Sequence, residues 1–374
     1  MTGGARPHVS NDGRARALVL AHGWNATAYQ ILNPGIEHWF ASAGDAVIGY
    51  VRAGGFRVVA GAPVCPAGRM AAVVKEFERE AHRARERVCY FGAEARLEAT
   101  LAGSPDHSFV LLGAQPAWDP ARWVERTGTR PTVRFQIRRA ARKGVVISEV
   151  APAAASSDPS LRECLTAWLA TRGLSPLHFL VEPDTLATLT DRRIFVAHRA
   201  GRTIGFVVAS IVPARRGWLV EQFIRHPDAP NGTMEALIDA AVRAVADDGA
   251  AYVTLGLSPL APCPRADPPR QSGPSWWLRS LFYLMRRFGR RFYDFRGLER
   301  FKSKFAPMRW EPVYLITDQR RITLSAMYAV AAAFTGGAPL RAFARASLAS
   351  LIPSCRQPGA ARARVRSRPA GAPS

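Results

Sequence analysis

The order hairpin, helix, strand occurs twice along this chain of 374 residues, and no other sequence feature restricts its fold as strongly. In the first copy, residues 46–64 (AVIGYVRAGGFRVVAGAPV) predict two strands joined by a Gly-Gly turn. Residues 70–86 (MAAVVKEFEREAHRARE) predict a helix, and residues 88–93 (VCYFGA) predict a short buried strand. The apolar face of the predicted helix carries Val73, Val74, Phe77 and Ala81.

The second copy lies about 150 residues further along the chain. Residues 194–212 predict a strand, a glycine turn and a strand, and residues 217–225 predict a further strand. A helix over residues 233–249 ends at Gly249, and residues 251–257 predict a buried strand. This repeat favours an α+β fold of tandem GNAT-like acyltransferase domains, with mixed sheets flanked by helices. Two unrelated α+β modules are the alternative.

Composition predicts where the two domains begin and end. The N-terminal residues 1–16 and the basic tail 355–374 have few apolar residues and are predicted to be disordered. Small residues and proline in the stretch APAAASSDPS predict a boundary after residue 150. The first GNAT-like domain is therefore predicted at 17–150 and the second at 151–320, followed by C-terminal helices at 321–354.

The charge of the chain favours a polyanionic partner. It has 51 Lys and Arg against 29 Asp and Glu, for a net charge of +22. A field of this sign attracts nucleic acid or an anionic membrane surface. The excess is concentrated in two patches inside folded-looking sequence, residues 122–143 and residues 276–309.

Other features exclude some classes of protein. The five cysteines are scattered and show no metal-binding spacing, which predicts reduced thiols and no metal site. The N-terminus has no apolar segment typical of a signal peptide. Residues 322–340 (ITLSAMYAVAAAFTGGAPL) are apolar but short and interrupted by two glycines, so we predict a packed helix, with membrane contact as the alternative.

A turn at the start of the second predicted helix is the first candidate binding site. Asn231, Gly232 and Thr233 are placed at or near the N-cap, where free N–H groups and the helix dipole attract an anion. An ordinary capped helix is the alternative. GNAT domains hold the coenzyme A pyrophosphate with a glycine-rich loop at this place, and this turn lacks that spacing.

Glu221 and Arg225 are the candidate catalytic pair. They lie four residues apart on a predicted strand, so both are expected on one face. A carboxylate beside a guanidinium remains ionised and can orient an ammonium group. The alternative is a surface ion pair.

The third candidate lies in the second basic patch. Lys302 and Lys304 alternate with Phe301 and Phe305, and an extended strand would place both lysines on one face. Such an arrangement suits contact with a phosphate backbone. Just upstream, residues 276–293 combine aromatic bulk with arginines, which predicts either an interfacial membrane helix or a basic helix lying on the core.

Several motifs between residues 22 and 316 resemble the C-terminal domain of the phosphatidylglycerol lysyltransferase family. They are GWNATAYQIL, PTVRFQIRRAARKGV, LRECLTAWLATRGLSPLHFLVEP, WLVEQFIRHPDAPNGTMEALID, YVTLGLSPL and GLERFKSKFAPMRWEPVYL. The resemblance implies a tandem GNAT-like fold related to the Fem aminoacyltransferases. It also implies transfer of an aminoacyl group from aminoacyl-tRNA to the headgroup hydroxyl of an anionic phospholipid, without a metal, free ATP or any other cofactor.

The resemblance further implies where the site lies. The second unit would be catalytic, with Glu221 and Arg225 beside the aminoacyl group and the 231–233 turn next to it. Lys302 and Lys304 would meet the acceptor end of the tRNA. The protein would be cytoplasmic and peripheral on the inner face of the plasma membrane.

The sequence departs from full-length family members, which carry a multi-helix membrane domain before this region. This difference leaves the lipid or other acceptor open. Two other functions remain as alternatives: an N-acyltransferase that uses acyl-coenzyme A, and a non-catalytic basic module that binds RNA or anionic lipid.

Overall fold

Both predicted hairpins form, and each leads through a helix to a strand that lies parallel to the strand before the helix. The structure is a computed structural model that describes residues 10–171, 178–182, 184–263 and 295–337. The strands are β1 (Glu37–Phe40), β2 (Val47–Ala53), β3 (Phe56–Ala60), β4 (Arg87–Ala93), β5 (Ser108–Trp118), β6 (Val146–Val150), β7 (Arg192–Arg199), β8 (Arg202–Val212), β9 (Gly217–Arg225), β10 (Tyr252–Thr254), β11 (Ser258–Pro259) and β12 (Arg309–Thr317). The helices are α1 (Asn11–His22), α2 (Met70–Arg83), α3 (Ala95–Leu101), α4 (Trp123–Gly128), α5 (Pro131–Arg142), α6 (Pro152–Ser157), α7 (Pro159–Ala170), α8 (Thr233–Asp247), α9 (Phe295–Ser303) and α10 (Leu324–Thr335).

The first unit is built as its sequence pattern predicts. β2 and β3 pair antiparallel around Gly54 and Gly55, both of which adopt the positive φ that the turn requires. α2 then crosses to β4, which pairs parallel with β3. The four residues predicted on the apolar face of α2 are all buried.

The second unit repeats this topology. β7, β8 and β9 form an antiparallel meander, α8 crosses over, and β10 pairs parallel with β9. The helix ends at Asp247, and Gly249 takes the positive φ of a helix terminator. The predicted α+β fold of two GNAT-like units, with a mixed sheet flanked by helices, is confirmed.

The last strands of the two units exchange places, which the sequence pattern does not predict. β12, from the end of the second unit, lies between β4 and β5 of the first, and β5 pairs in turn with β10. All twelve described strands therefore form one sheet. Its order is β1-β2-β3-β4-β12-β5-β10-β9-β8-β7-β6, with β11 paired to β5.

The helices cover both faces of this sheet. α2 and α3 pack on one face of the first unit, and α5 and α8 pack on the same face of the second. α1 and α10 cover the opposite face of the first unit, and α7 covers that face of the second. We call the face under α1, α7 and α10 the inner face, because the candidate site lies there.

The division of the chain after residue 150 stays a prediction, and two contacts cross it. α4 and α5 pack against α8, and the Trp123 indole nitrogen donates a hydrogen bond of 2.9 Å to Asp239. α10 packs on β2 and β3 of the first unit, with Ala326, Ala329 and Ala333 buried. The predicted packed helix at the C-terminal end is thus confirmed where the structure describes it.

The prediction of disorder at residues 1–16 is wrong for residues 10–16, because α1 begins at Asn11 with Ser10 as its side-chain N-cap. Residues 1–9 lie outside the described residues. Arg16 makes a bidentate ion pair with Asp191, with both N–O distances at 2.6 Å. A partner from a distant segment therefore stabilises a helix that has a weak local signal. The predicted tail at 355–374 lies outside the described residues.

Candidate functional site

Gly232 is the N-cap of α8, no side chain caps the helix there, and α5 covers its start. Gly232 takes φ +97°, and a Cβ at this position would lie 2.1 Å from the backbone oxygen of Gln136. Thr233 is fully buried and donates its hydroxyl to the Pro230 carbonyl at 2.8 Å, whereas Asn231 is exposed. The close approach that requires glycine is therefore made by the chain itself and not by a ligand.

Glu221 and Arg225 point to opposite faces of the sheet, so the prediction of a shared face is wrong. Val208 pairs with Glu221 and Phe206 pairs with Ile224, which leaves two residues of β9 opposite one residue of β8. This β-bulge includes Gln222, whose φ is +57°. An extra residue in a strand reverses the side on which later side chains emerge.

Glu221 lies on the inner face and belongs to a polar cluster. Its Oε1 accepts hydrogen bonds from the Ser210 hydroxyl at 2.5 Å and from the Gln30 amide at 2.9 Å. Burial raises the pKa of Glu221, and the nearby Arg192 charge and the two hydrogen bonds oppose that rise. The Glu221 carboxylate is enclosed by protein, and the residue as a whole is partly accessible to solvent.

Both units contribute side chains to the polar cluster around Glu221. Gln30 and Asn33 come from the first unit, in and after the 3-10 turn Tyr29–Leu32. The Arg192 guanidinium donates to Ser210 at 3.0 Å and to the Asn33 side-chain oxygen at 3.0 Å. The side-chain oxygen of Gln30 is buried without a hydrogen-bond partner among the residues that the structure describes. This oxygen is therefore an unsatisfied acceptor beside the Glu221 carboxylate, and such a group marks a candidate binding position.

A second buried polar cluster lies on the inner face between the units. Arg215 donates to Glu311 at 2.6 and 3.0 Å and to Glu94 at 3.2 Å. The Tyr252 hydroxyl also donates to Glu311, at 2.9 Å. The centre of the Tyr252 ring lies 3.4 Å from the Arg215 guanidinium carbon, and the centre of the Trp24 ring lies 4.8 Å from the same carbon.

The two carboxyl groups of this second cluster differ in pKa. Burial raises the pKa of Glu94 to about 7 against the opposing charge of Arg215. Burial acts in the same direction on Glu311, but the hydrogen bonds and charge of Arg215 outweigh it and lower the pKa to about 2. Arg215 therefore forms its main ion pair with Glu311. Glu94 is the carboxyl in this cluster whose pKa lies near neutral pH.

Neither this cluster nor the partners of Glu221 were predicted from the sequence. Trp24 and Gln30 lie in the motif GWNATAYQIL, and Glu311 lies in the motif that ends in RWEPVYL. Those motifs were the available signal. No spacing in the sequence connects them, because the contacts span more than 90 residues.

Lys302 lies inside the protein, and the predicted extended strand around it is wrong. It belongs to α9, is 2% exposed and donates to the carbonyls of Gly256 and Leu257 at 2.8 and 2.9 Å. Burial lowers its pKa to about 7. Its two contacts fix the backbone that follows β10.

Lys304 follows α9 and is paired. Its ammonium lies 2.5 Å from a carboxylate oxygen of Glu235 in the first turn of α8 and 4.1 Å from the centre of the Phe301 ring. Phe301 in turn lies 6.4 Å from Phe223 of β9, measured between ring centres. β9 pairs with β10 only from Gly217 to Leu219. Beyond the end of that ladder, the contact between Phe301 and Phe223 places α9 over β9.

An apolar groove opens on the inner face of the first unit. Its volume is about 1,020 Å³. Its wall is mainly apolar, with Ile36, Val51, Phe179, Tyr328 and Ala333, but it also includes the charged residues Arg52, Glu182 and Asp184. Pro34 also lines the groove and directly follows Asn33 of the Glu221 cluster. The groove and the polar cluster of Glu221 are therefore neighbours.

None of the helices described is both long and apolar enough to cross a lipid bilayer. The segment at residues 276–293, predicted as an interfacial or core-packed helix, lies outside the described residues.

Comparison with known proteins gives one family. The profile described as "Phosphatidylglycerol lysyltransferase, C-terminal" matches residues 16–317. No curated protein matches the sequence.

Solved structures share the fold. The C-terminal domain of a putative lysylphosphatidylglycerol synthetase from Agrobacterium fabrum is 21% identical, with a TM-score of 0.74 over 87% of this chain and 97% of that one. L-PGS from Bacillus licheniformis is 20% identical, with a TM-score of 0.71 over 88% of this chain and 97% of its own. FemX is 8% identical, with a TM-score of 0.51 over 86% of this chain and 98% of its own. At these identities the structural likeness establishes the fold.

Proposed function

The chain belongs to the family of phosphatidylglycerol lysyltransferase C-terminal domains, and on that premise we propose that it is an aminoacyltransferase that uses aminoacyl-tRNA and a membrane lipid. The aminoacyl group moves from the ribose of the tRNA to a hydroxyl of the lipid headgroup. The acceptor is an anionic phospholipid, and the protein acts as a peripheral protein at the inner face of the plasma membrane. The net charge of +22 suits both of these polyanionic partners.

The polar cluster at Glu221 is the observation that carries this proposal. It joins the enclosed carboxylate of Glu221, a residue that is partly accessible to solvent, to the buried, unpartnered side-chain oxygen of Gln30. Two acceptors at this depth suit the ammonium of an aminoacyl group, which carries three N–H donors.

The reaction needs positioning and one proton transfer. The lipid hydroxyl oxygen attacks the ester carbonyl, a new C–O bond forms, and the bond from that carbonyl to the ribose oxygen breaks. The hydroxyl proton ends on the ribose oxygen. We assign the transfer of this proton to Glu221, because burial brings its pKa closer to neutral. The ester is already activated, so orientation of the two substrates contributes most of the remaining acceleration.

Arg225 and Asn231 are proposed as contacts of the tRNA end. Both are exposed, and they lie at the end of β9 and at the turn before α8. Beyond Leu219, β9 has no ladder partner on its β10 side, and the proposed path of the aminoacyl group to Glu221 runs along this edge of β9, past α9. Lys302 acts on this path as a positioning residue that holds Gly256, and Lys304 is retained in place by Glu235.

The covered start of α8 argues against acyl-coenzyme A as the donor. A pyrophosphate at Gly232 would meet the backbone of Gln136. By contrast, the apolar groove next to Asn33 fits an acyl chain of a lipid acceptor.

A transfer assay tests the proposal. Protein, charged tRNA and phosphatidylglycerol vesicles should yield aminoacyl lipid that disappears after ribonuclease treatment. Glu221→Gln should lower the rate at least a hundredfold, because it removes the proton acceptor but keeps the size of the side chain. Glu163→Gln, at an exposed position of α7, is the matched control and should retain activity.

No aminoacyl lipid from any charged tRNA would contradict this function, as would full activity of Glu221→Gln. Tight binding of acetyl-coenzyme A in calorimetry would instead support the N-acyltransferase alternative.

A further inference from the structure

Arg192 is a buried arginine that has no carboxylate in direct contact. It is the first residue of β7, it is 3% exposed, and it forms no ion pair with an acid of the described residues. Its guanidinium donates to neutral oxygens instead. These are the carbonyl and hydroxyl of Thr188, at 2.6 and 3.0 Å, and the side-chain oxygens of Asn33 and Ser210, both at 3.0 Å. A buried charge is costly unless an opposite charge compensates it, so a negative group is expected close to these partners.

Glu221 supplies this negative charge through Ser210. Arg192 lies directly opposite Ser210 in the pairing of β7 with β8, and Ser210 is fully buried. The Ser210 hydroxyl in turn lies 2.5 Å from Oε1 of Glu221. Burial raises the pKa of Glu221, and the charge of Arg192 is the largest of the influences that oppose this rise. The arginine therefore acts on the carboxylate although the two side chains do not touch.

The other ionisable side chains nearby have partners of their own. Asp191 accepts a hydrogen bond from the Tyr29 hydroxyl and forms an ion pair with Arg16. Glu182, whose carbonyl contacts β9, lies 2.9 Å from His178. Among the described residues, the cation that acts on Glu221 is thus Arg192.

The hydrogen bonds from Arg192 to Glu221 can run in one direction only. A guanidinium has donors and no acceptor, so Nε of Arg192 must donate to the Ser210 oxygen. The hydroxyl has a single proton, and this proton goes to Oε1 of Glu221. We call Arg192, Ser210 and Glu221 the relay. Because the arginine polarises the hydroxyl, it strengthens the bond between Ser210 and the carboxylate.

The relay occupies one oxygen of the Glu221 carboxylate and leaves the other. Oε1 accepts hydrogen bonds from Ser210 and from the Gln30 amide at 2.9 Å. Oε2 accepts no hydrogen bond from the residues that the structure describes. Two donors on Oε1 restrict the rotation of the carboxylate, so Oε2 is the oxygen that remains for a substrate.

We propose that Arg192 is a positioning residue of the transfer site, which fixes Oε1 of Glu221 through Ser210 and presents Oε2 to the hydroxyl of the acceptor. The inference rests on the proposed function and deepens it, since it assigns the proton transfer to one oxygen. Oε2 takes the proton of the lipid hydroxyl and gives it to the ribose oxygen, so Glu221 is ionised before and after the reaction. The fixed charge of Arg192 favours this ionised state and hence the release of the proton.

A titration of Glu221 by nuclear magnetic resonance of isotopically labelled glutamate tests the relay without tRNA or lipid. The loss of its signal in Glu221→Gln assigns the carboxyl group. Arg192→Gln should raise the pKa of Glu221, because it removes the opposing charge. Arg192→Lys retains a charge and should keep the pKa closer to that of the parent. Arg193→Gln is the matched control on the same strand, where the side chain pairs with Glu149 and Asp248, and it should leave the pKa of Glu221 unchanged.

Transfer rates should show the same dependence on charge. Arg192→Gln should lower kcat at least about tenfold more at pH 6 than at pH 8.5, because a carboxyl group with a higher pKa is less ionised at pH 6. Ser210→Ala keeps the charge but removes the donor to Oε1, and it should lower kcat about tenfold even at pH 8.5. All variants must show the thermal unfolding of the parent, and Ser210→Ala carries the test if Arg192→Gln does not fold.

An unchanged pKa of Glu221 in Arg192→Gln would overturn the inference. So would an equal loss of kcat at both pH values, which would give Arg192 a structural role alone, and so would full activity of Ser210→Ala. The titration contains no substrate and therefore separates this inference from the proposed function. A raised pKa of Glu221 in Arg192→Gln, together with no aminoacyl lipid from the parent, would support the relay and contradict the function.

Discussion

Individual residues in this protein acquire their chemistry from neighbours that are far away in the sequence. Burial raises the pKa of Glu221, and its carboxylate accepts hydrogen bonds that oppose this rise from Ser210 and from Gln30, which is 191 residues away. Lys302 is a surface-type residue by sequence, yet it lies buried on two carbonyl groups. In an extended basic arm exposed to water, a glutamate and a lysine would keep their ordinary pKa values.

The stability of the protein should depend on pH through Lys302. In the unfolded chain its pKa is near 10.5, and burial lowers it to about 7 in the folded protein. Between pH 7 and 10 the unfolded state therefore binds more protons, so the free energy of unfolding should rise with pH. The rise should not exceed about 1.4 kcal/mol per pH unit for one proton.

Urea unfolding of the parent and of Lys302→Met at pH 7, 8 and 9 checks this expectation. The free energy of unfolding of the parent should increase relative to that of Lys302→Met as the pH increases. A difference that is independent of pH would contradict the buried lysine.

At the scale of elements, close packing between α5 and α8 decides what the start of α8 can do. Asn231, Gly232 and Thr233 look like an anion site in sequence, and the contact with Gln136 makes Gly232 a packing residue. The bulge at Gln222 similarly turns Arg225 away from Glu221. Neither event has a local sequence signal.

Gly232→Ala should destabilise the protein strongly. The new Cβ would lie 2.1 Å from the Gln136 oxygen, in addition to the strain of φ +97°. We expect a loss of roughly 3 kcal/mol or more, from overpacking and backbone strain together.

Gly249→Ala is the matched control, because its φ is +74° and a Cβ there would meet nothing within 4 Å. It should cost about 1 kcal/mol, from the backbone alone. Equal losses for the two variants in chemical denaturation would refute the close contact.

At the scale of the whole molecule, the exchange of β5 and β12 joins the two units into one sheet. β12 pairs with β4 over four residues and with β5 over nine. Arg215 adds a buried link between Glu94 of the first unit and Glu311 of β12. The core strands of one unit are therefore completed by the other.

The two units should consequently unfold together. Thermal unfolding followed by far-ultraviolet circular dichroism and by tryptophan fluorescence should give coincident single transitions. Two separated transitions would show that the units are independent despite the exchanged strands.

Much of the fold was predictable from the sequence. α2 was predictable because four apolar residues repeat on one helical face, and β2 and β3 were predictable because a Gly-Gly turn joins two apolar runs. α1 was missed, because Arg16 finds its partner at Asp191. The resemblance of short motifs identified the family that the profile match now establishes.

The sequence by itself determined the twice-repeated unit, since local periodicity and turn residues specify hairpins and helices. It also determined the basic character of residues 122–143, because charged residues can be counted without knowledge of the fold. Tertiary structure alone decided which side chains meet. A β-bulge separated Glu221 from Arg225, and the exchange of β12 with β5 brought Glu311 to Arg215. These outcomes depend on contacts between residues far apart in the chain, and such contacts leave no period or spacing in one sequence.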